Sequence, residues 1–143
     1  MKRTIAAVLS VFLVGTIAVV PLSGCAQTNT QQEQKQPLDL QGTWKSDESN
    51  GSYQEAIIAD GTITIYWVSN GGDTKSLYWA GSYTAPTDAT DTYSWTSQND
   101  ADQTKGALLA SSDETKDFKY ENGVLSWSAS AMGTTKTVEA HRQ

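Results

Sequence analysis

The sequence predicts an all-β fold: a small antiparallel meander barrel of about eight or nine strands. Three observations carry this expectation. Short runs rich in Thr, Tyr, Trp, Val and Ile recur from residue 38 onward, with apolar side chains at alternate positions. Asp60-Gly61 and Asn122-Gly123 each join two such runs, and both dipeptides favour the type I′ hairpin turn, which needs positive φ at its two central residues. The links between runs have hairpin length, as in meandering barrels and sandwiches, and no helix longer than a turn is required after residue 24.

The first 24 residues stand apart from this pattern. Lys2-Arg3 make a basic start, and Ile5 to Val20 make an apolar run interrupted only by Ser10, Gly15 and Thr16. Leu22-Ser23-Gly24-Cys25 follows. The tetrapeptide resembles the lipobox of bacterial lipoproteins. The resemblance implies that residues 1–24 are a signal peptide, removed in the mature chain, and that Cys25 becomes its first residue, lipidated on sulfur. An uncleaved membrane anchor is the competing reading. The apolar run is at the short end for a span, and the small Ser23 and Gly24 before Cys25 favour processing. The family's anchor carries fatty acyl chains of the palmitate kind. At about 0.8 kcal/mol per buried CH₂, two chains hold stably where one is marginal. The expected location is therefore the cell membrane, lipid-anchored and facing the extracytoplasmic side.

Composition bounds the rest. The 119 residues after Gly24 suffice for one small domain. They carry eight basic and sixteen acidic residues, a formal charge of −8 with His141 neutral. Such a surface repels phosphate backbones, so no nucleic-acid partner is expected. It also keeps the domain off an anionic membrane, leaving the lipid on Cys25 as the expected membrane contact. Cys25 is the single cysteine, so no internal disulfide, thiolate metal cluster or free catalytic thiol is available. The core must come from aromatic residues: five Trp and six Tyr, all beyond residue 25, each able to bury roughly 150–250 Å².

Residues 25–37 hold the lipidated Cys and a polar, Gln-rich stretch without apolar periodicity, which reads as a flexible, disordered tether. The barrel domain is expected over 38–143. Leu38, Leu40 and Trp44 share one parity and predict a first strand. Tyr53 to Ala59 and Thr62 to Ser69 form a hairpin around Asp60-Gly61. Its turn sets Ile58 opposite Ile63, Ala56 opposite Ile65 and Gln54 opposite Trp67. The opposite face carries Tyr53, Ile57, Tyr66 and Val68, so this hairpin is not cleanly amphipathic.

Asn70 to Asp73 is a turn. Thr74 to Thr84 is the next strand, with Leu77, Trp79 and Tyr83 on one side and Tyr78 and Ala80 on the other. Pro86 ends it, since proline cannot donate to a ladder. Thr92 to Ser97 is a strand with Tyr93 and Trp95 on one face, followed by a polar loop from Gln98 to Gly106. Ala107 to Ser111 reads as a short apolar strand. Thr115 to Tyr120 and Val124 to Met132 pair around Asn122-Gly123, with Tyr120 opposite Leu125 and Phe118 opposite Trp127 on one face. Gly133-Thr134 offers a last turn into Thr135 to Ala140.

Gly42-Thr43-Trp44, near the start of the first strand, resembles the Gly-x-Trp motif of the calycin group, which includes lipocalins and avidins. That likeness implies a structural role for Trp44, plugging one barrel end. The chain as a whole resembles small uncharacterised lipoproteins of Gram-positive bacteria and their prophages. Prophage lipoproteins of this kind often act against incoming phage, so superinfection exclusion is what this resemblance implies.

Catalytic chemistry has little to build on. His141 is the single His and lies close to the C-terminus, where a solvated side chain is the simpler reading than a general base. The Gly-x-Ser-x-Gly nucleophile motif is absent. Glu55, Asp113, Glu114 and Glu121 fall on exposed faces or at turns, as solvating acids do, rather than as a paired carboxylate site. Asn99-Asp100-Ala101-Asp102-Gln103 offers oxygens but not the spacing of an EF-hand. No cofactor and no metal site are expected.

Binding is better supported. The five Trp are read chiefly as core, but Trp67, Trp79 and Trp127 would line the barrel interior if it were open. Tyr53, Tyr66 and Tyr78 are candidates for partner contact: a single-layer barrel has one inside, the hairpin register sets Tyr53 and Tyr66 opposite the Ile58/Ile63/Ile65 face, and the length of the Asn70 to Asp73 turn leaves the parity of Tyr78 open. The expected function is a binding module at the cell envelope, meeting a protein or glycan. The alternatives are a calycin-like carrier of a small apolar ligand and, last, an envelope enzyme.

Overall fold

Tight turns with two consecutive positive φ angles set the registers of the sheet. Asn50-Gly51, Asp60-Gly61, Asn122-Gly123 and Met132-Gly133 all adopt this form, with φ between 49° and 90°, and its twist matches that of the strands it joins. A computed structural model describes residues 35–143. The signal segment, Leu22 to Cys25 and the tether through residue 34 lie outside the described residues.

The strands are β1 (Gly42–Ser46), β2 (Tyr53–Ala59), β3 (Thr62–Ser69), β4 (Thr74–Ser82), β5 (Thr92–Gln98), β6 (Thr115–Glu121), β7 (Val124–Ala131) and β8 (Thr134–Arg142). All pair antiparallel in one curled sheet of order β4-β3-β2-β1-β8-β7-β6-β5. The fold is thus the expected all-β meander, curled into a half-barrel. First and last strands pair in its middle through Trp44↔Arg142, Lys45↔His141 and Ser46↔Ala140.

The edges β4 and β5 meet at one bridge, Gly81↔Asn99, rather than a ladder. Polar contacts close this seam: Trp79 Nε1 donates to Ser97 Oγ at 3.1 Å, and Gln98 N to Ser82 Oγ at 2.9 Å. A one-turn helix, α1 (Ala101–Thr104), and the segment after it run beside β4. There Asp100 N and Ser111 N both donate to β4 carbonyls, those of Ala80 and Tyr78, at 2.8 Å.

The register expected from Asp60-Gly61 is the register formed, down to Gln54↔Trp67. So is that from Asn122-Gly123, with Phe118↔Trp127 and Tyr120↔Leu125. One face of every strand turns inward, and Trp44, Ile58, Ile63, Ile65, Trp79, Phe118, Leu125 and Trp127 are all at most 2 % exposed. Trp95 stacks on Phe118 at 4.9 Å and meets Tyr83 edge-on at 5.1 Å. The inside is filled by side chains.

Several expectations are corrected. The first strand starts at Gly42, not Leu38: Leu40 is buried off the strand, and its carbonyl accepts the Trp44 indole N–H at 3.0 Å. Ala107 to Ser111 is not a strand. It turns, with Ala110 N bonded to Ala107 O, and leaves Leu108 and Leu109 exposed.

Tyr78 is not on the outer face. The β3–β4 register shifts between Ile65 and Tyr66, so that Ile65 faces Trp79 while Tyr66 faces Leu77. The extra residue of this bulge is Tyr78, which joins the core at 1 % exposure.

Candidate binding groove at the far end of the half-barrel

The two ends of the half-barrel differ. The near end carries the incoming chain, where Leu38 N bonds Asp88 O, and the outgoing one, where Gln143 N bonds Thr43 O. Trp44 is buried there, with the Arg142 guanidinium 4.7 Å above its ring and Tyr120 edge-on at 6.0 Å. The Arg142 guanidinium also donates to the carbonyls of Asp39 and Gln41. The far end carries the Asn50-Gly51 and Met132-Gly133 turns, α1 and a groove.

The groove exists because β1 is short and β8 is long. Ser46 ends β1: its hydroxyl accepts from Gln54 N at 2.9 Å and contacts Asp47 O, and the chain then turns at Asn50-Gly51 into β2. β8 continues from Ala140 back to Thr134 with β7 on one side and, among the described residues, no strand on the other. The space left is a groove of about 530 Å³. Trp67 and Val138 give it an apolar floor, Asp47 and Glu139 an acidic end, and Lys136 a basic opposite end.

Behind the groove the sheet is stitched by side chains. The β6–β7 ladder begins at Phe118↔Trp127. Beyond it, Lys116 Nζ donates to Ser128 O at 3.2 Å, and Ser130 N donates to the Tyr78 hydroxyl at 3.1 Å. Lys116 is 7 % exposed, lies 5.2 Å from the Tyr78 and Trp79 rings, and pairs with Asp113 at 3.0 Å. The Asp113 carboxyl is held below its ordinary value, first by the Ser111 hydroxyl and then by Lys116. Trp127 Nε1 donates to Gln54 Oε1 at 2.7 Å across the interior.

Of the residues singled out by the sequence, the groove takes one. Trp67 lines it, while Trp79 and Trp127 are buried in the core at 0 % and 2 % exposure. Tyr53 and Tyr66 lie on the outer face, half-buried, with Lys45 Nζ 3.9 Å over the Tyr53 ring and the Lys75–Glu55 ion pair beside them. That pairing raises the Lys75 pKa, through the hydrogen bond to Glu55. With Tyr78 inside, the three tyrosines do not form one patch.

The carboxylates do not converge. Glu55 pairs with Lys75, Asp113 with Lys116 and Glu121 with Lys119. Asp100 caps α1, accepting from Asp102 N and Gln103 Nε2, and the latter bond chiefly lowers its pKa. Thr104 Oγ1 donates to Asn99 Oδ1, so this acidic segment uses its oxygens on itself. His141 is exposed on β8.

Asp47, Lys136, Val138 and Glu139 were not singled out by the sequence. Their signal is a mismatch of strand lengths, five residues in β1 against nine in β8. It becomes visible only once the two are known to be neighbours. No family model, curated protein or solved structure matches this chain.

Proposed function

We propose that this chain is a lipid-anchored, extracytoplasmic binding module of the cell envelope rather than an enzyme. Its partner is an envelope protein or glycan, and the membrane is met through the lipid on Cys25. One observation carries the reading: the inside of the half-barrel is packed with side chains, while a groove opens at the end opposite the point where the chain enters. The packed Trp79 and Trp127 weigh against carriage of a ligand inside the barrel. Superinfection exclusion by a prophage-encoded lipoprotein is a narrower form of the same proposal and rests on resemblance.

The test is photo-crosslinking from intact cells, with a benzoylphenylalanine at groove and non-groove surface positions. Capture of one defined partner from groove positions supports the module. The absence of capture from every surface position overturns it. The anchor has its own test: Cys25→Ala should leave an unprocessed chain and empty the lipid-linked membrane fraction. Unchanged size and fractionation would remove the anchor.

A further inference from the structure

The stretch of β8 that lines the groove has a vacant side, and its backbone polarity is fixed by its neighbours. Gln143 N bonds Thr43 O, and Lys45 sits opposite His141. In an antiparallel ladder such groups alternate. Odd-numbered residues of β8 therefore direct N–H and C=O toward the β1 side, and even-numbered ones toward β7. Past the end of β1, where Ser46↔Ala140 is the last pair, Thr137 and Thr135 direct theirs into the groove opening, and among the described residues no strand is paired with them on that side.

A row of donors and acceptors repeating every second residue of an extended strand is matched by another extended strand. The side chains around it set what that strand carries. Residues of an incoming antiparallel strand opposite Val138 and Lys136 would face the groove, over Trp67 and toward the Lys136 ammonium. Its N-terminal end would reach the Asp47 and Glu139 carboxylates.

We propose that the vacant edge of β8 from Thr135 to Thr137 takes up an extended peptide segment of a partner protein by antiparallel strand addition. The segment is basic at its N-terminal end, apolar at the residue over Trp67 and acidic at the residue beside Lys136. This deepens the binding-module reading and rests on it. A protein is chosen over a glycan because the recognising groups are main-chain amides and carbonyls in strand spacing.

The probe is the labelled synthetic peptide Lys-Leu-Thr-Glu-Thr-Val, added to the full chain, ¹⁵N-labelled, in detergent micelles. Its Leu is placed over Trp67 and its two Thr opposite Thr137 and Thr135. In the free protein the Thr135 and Thr137 amides should exchange fast, while Lys136 and Val138, bonded to β7, exchange slowly. Peptide should slow exchange at Thr135 and Thr137 by tenfold or more. N-methylation of the peptide's two Thr, whose N–H groups face β8, should weaken binding at least tenfold. N-methylation of its Leu and Glu should change it less than twofold.

Thr137→Pro removes an edge donor outside the β7 ladder and should also cost at least tenfold. Equal effects of both N-methyl patterns, or no binding at millimolar peptide, would overturn strand addition. So would slow exchange of Thr135 and Thr137 in the free chain, or sedimentation as a dimer, since the edge would then be filled by this chain or a second copy. Partner capture on cells that survives Thr137→Pro unchanged keeps the module and removes strand addition. Absence of capture by the parent chain from every surface position removes the module itself.

Discussion

Trp127 on β7 donates its indole N–H to the side-chain carbonyl of Gln54 on β2, 2.7 Å away and 73 residues apart in sequence. Both side chains are at most 2 % exposed, and the Gln54 Nε2 has no partner among the described residues. The bond ties the first hairpin to the last across the interior. Gln54→Leu should destabilise the domain by about 1–3 kcal/mol, because it leaves a buried indole N–H unpaired. Adding Trp127→Phe should cost less than the separate losses predict, since the orphaned donor is removed with it. Urea unfolding of the two single variants and the double variant measures this coupling; strict additivity would show that the bond carries none.

The seam between β4 and β5 depends on the missing side chain of Gly81. A Cβ there would lie 2.4 Å from both Gln98 O and Ser97 Oγ, and 2.8 Å from Trp79 Nε1. Gly81 has an ordinary backbone conformation, so its requirement is space and not φ. Gly81→Ala should therefore push the two edges apart, at a cost of about 1–3 kcal/mol from overpacking. The check is thermal unfolding together with amide exchange at Asp100, whose bond to Ala80 O crosses the seam and should weaken first. An unchanged midpoint would show that the seam has slack.

The sequence makes the hairpins legible and the seam illegible, for a physical reason. Asp60-Gly61 and Asn122-Gly123 fix registers locally, and alternation then places Ile58, Ile65, Phe118 and Trp127 without further information. Tyr78 escapes that logic, because a bulge shifts parity by one and nothing in Ser76 to Ala80 announces it. The groove escapes it too: that β8 outruns β1 is a property of two strands almost a hundred residues apart. Leu108 and Leu109 read as strand by composition, but with β4 already satisfied by Asp100 and Ser111 the loop turns outward instead.

The sequence offers Gly133-Thr134 as the turn between β7 and β8, one residue late. It forms at Met132-Gly133, with Met132 at φ 51° and its side chain fully exposed. A non-glycine, non-Asn residue in the left-handed region costs about 1–2 kcal/mol, and this Met has no burial to offset it. Met132→Asn should raise stability by about 0.5–1 kcal/mol without altering the β7–β8 register. A shift in urea midpoint measures the gain, and a loss of stability would mean that the Met side chain is held by a contact.

Asp113 gives the far end a dependence on pH. Its carboxyl is held below the ordinary 3.8 by the Ser111 hydroxyl and by Lys116. A lowered folded-state value means that the ionised form stabilises the fold. That contribution is complete above the ordinary value and is lost as pH falls through the lowered one. The Asp113 side chain is 54 % exposed while that of Lys116 is buried, so solvent screens the acid and keeps the contribution small. Asp113→Asn should lower stability near neutral pH and flatten its decline as the pH falls through and below the ordinary carboxylate value. Lys116, still bonded to Ser128 O, should keep β6 against β7, so groove amides such as Val138 should retain slow exchange. Urea midpoints measured against pH test the first point, and parallel curves for variant and parent would place the acid dependence elsewhere.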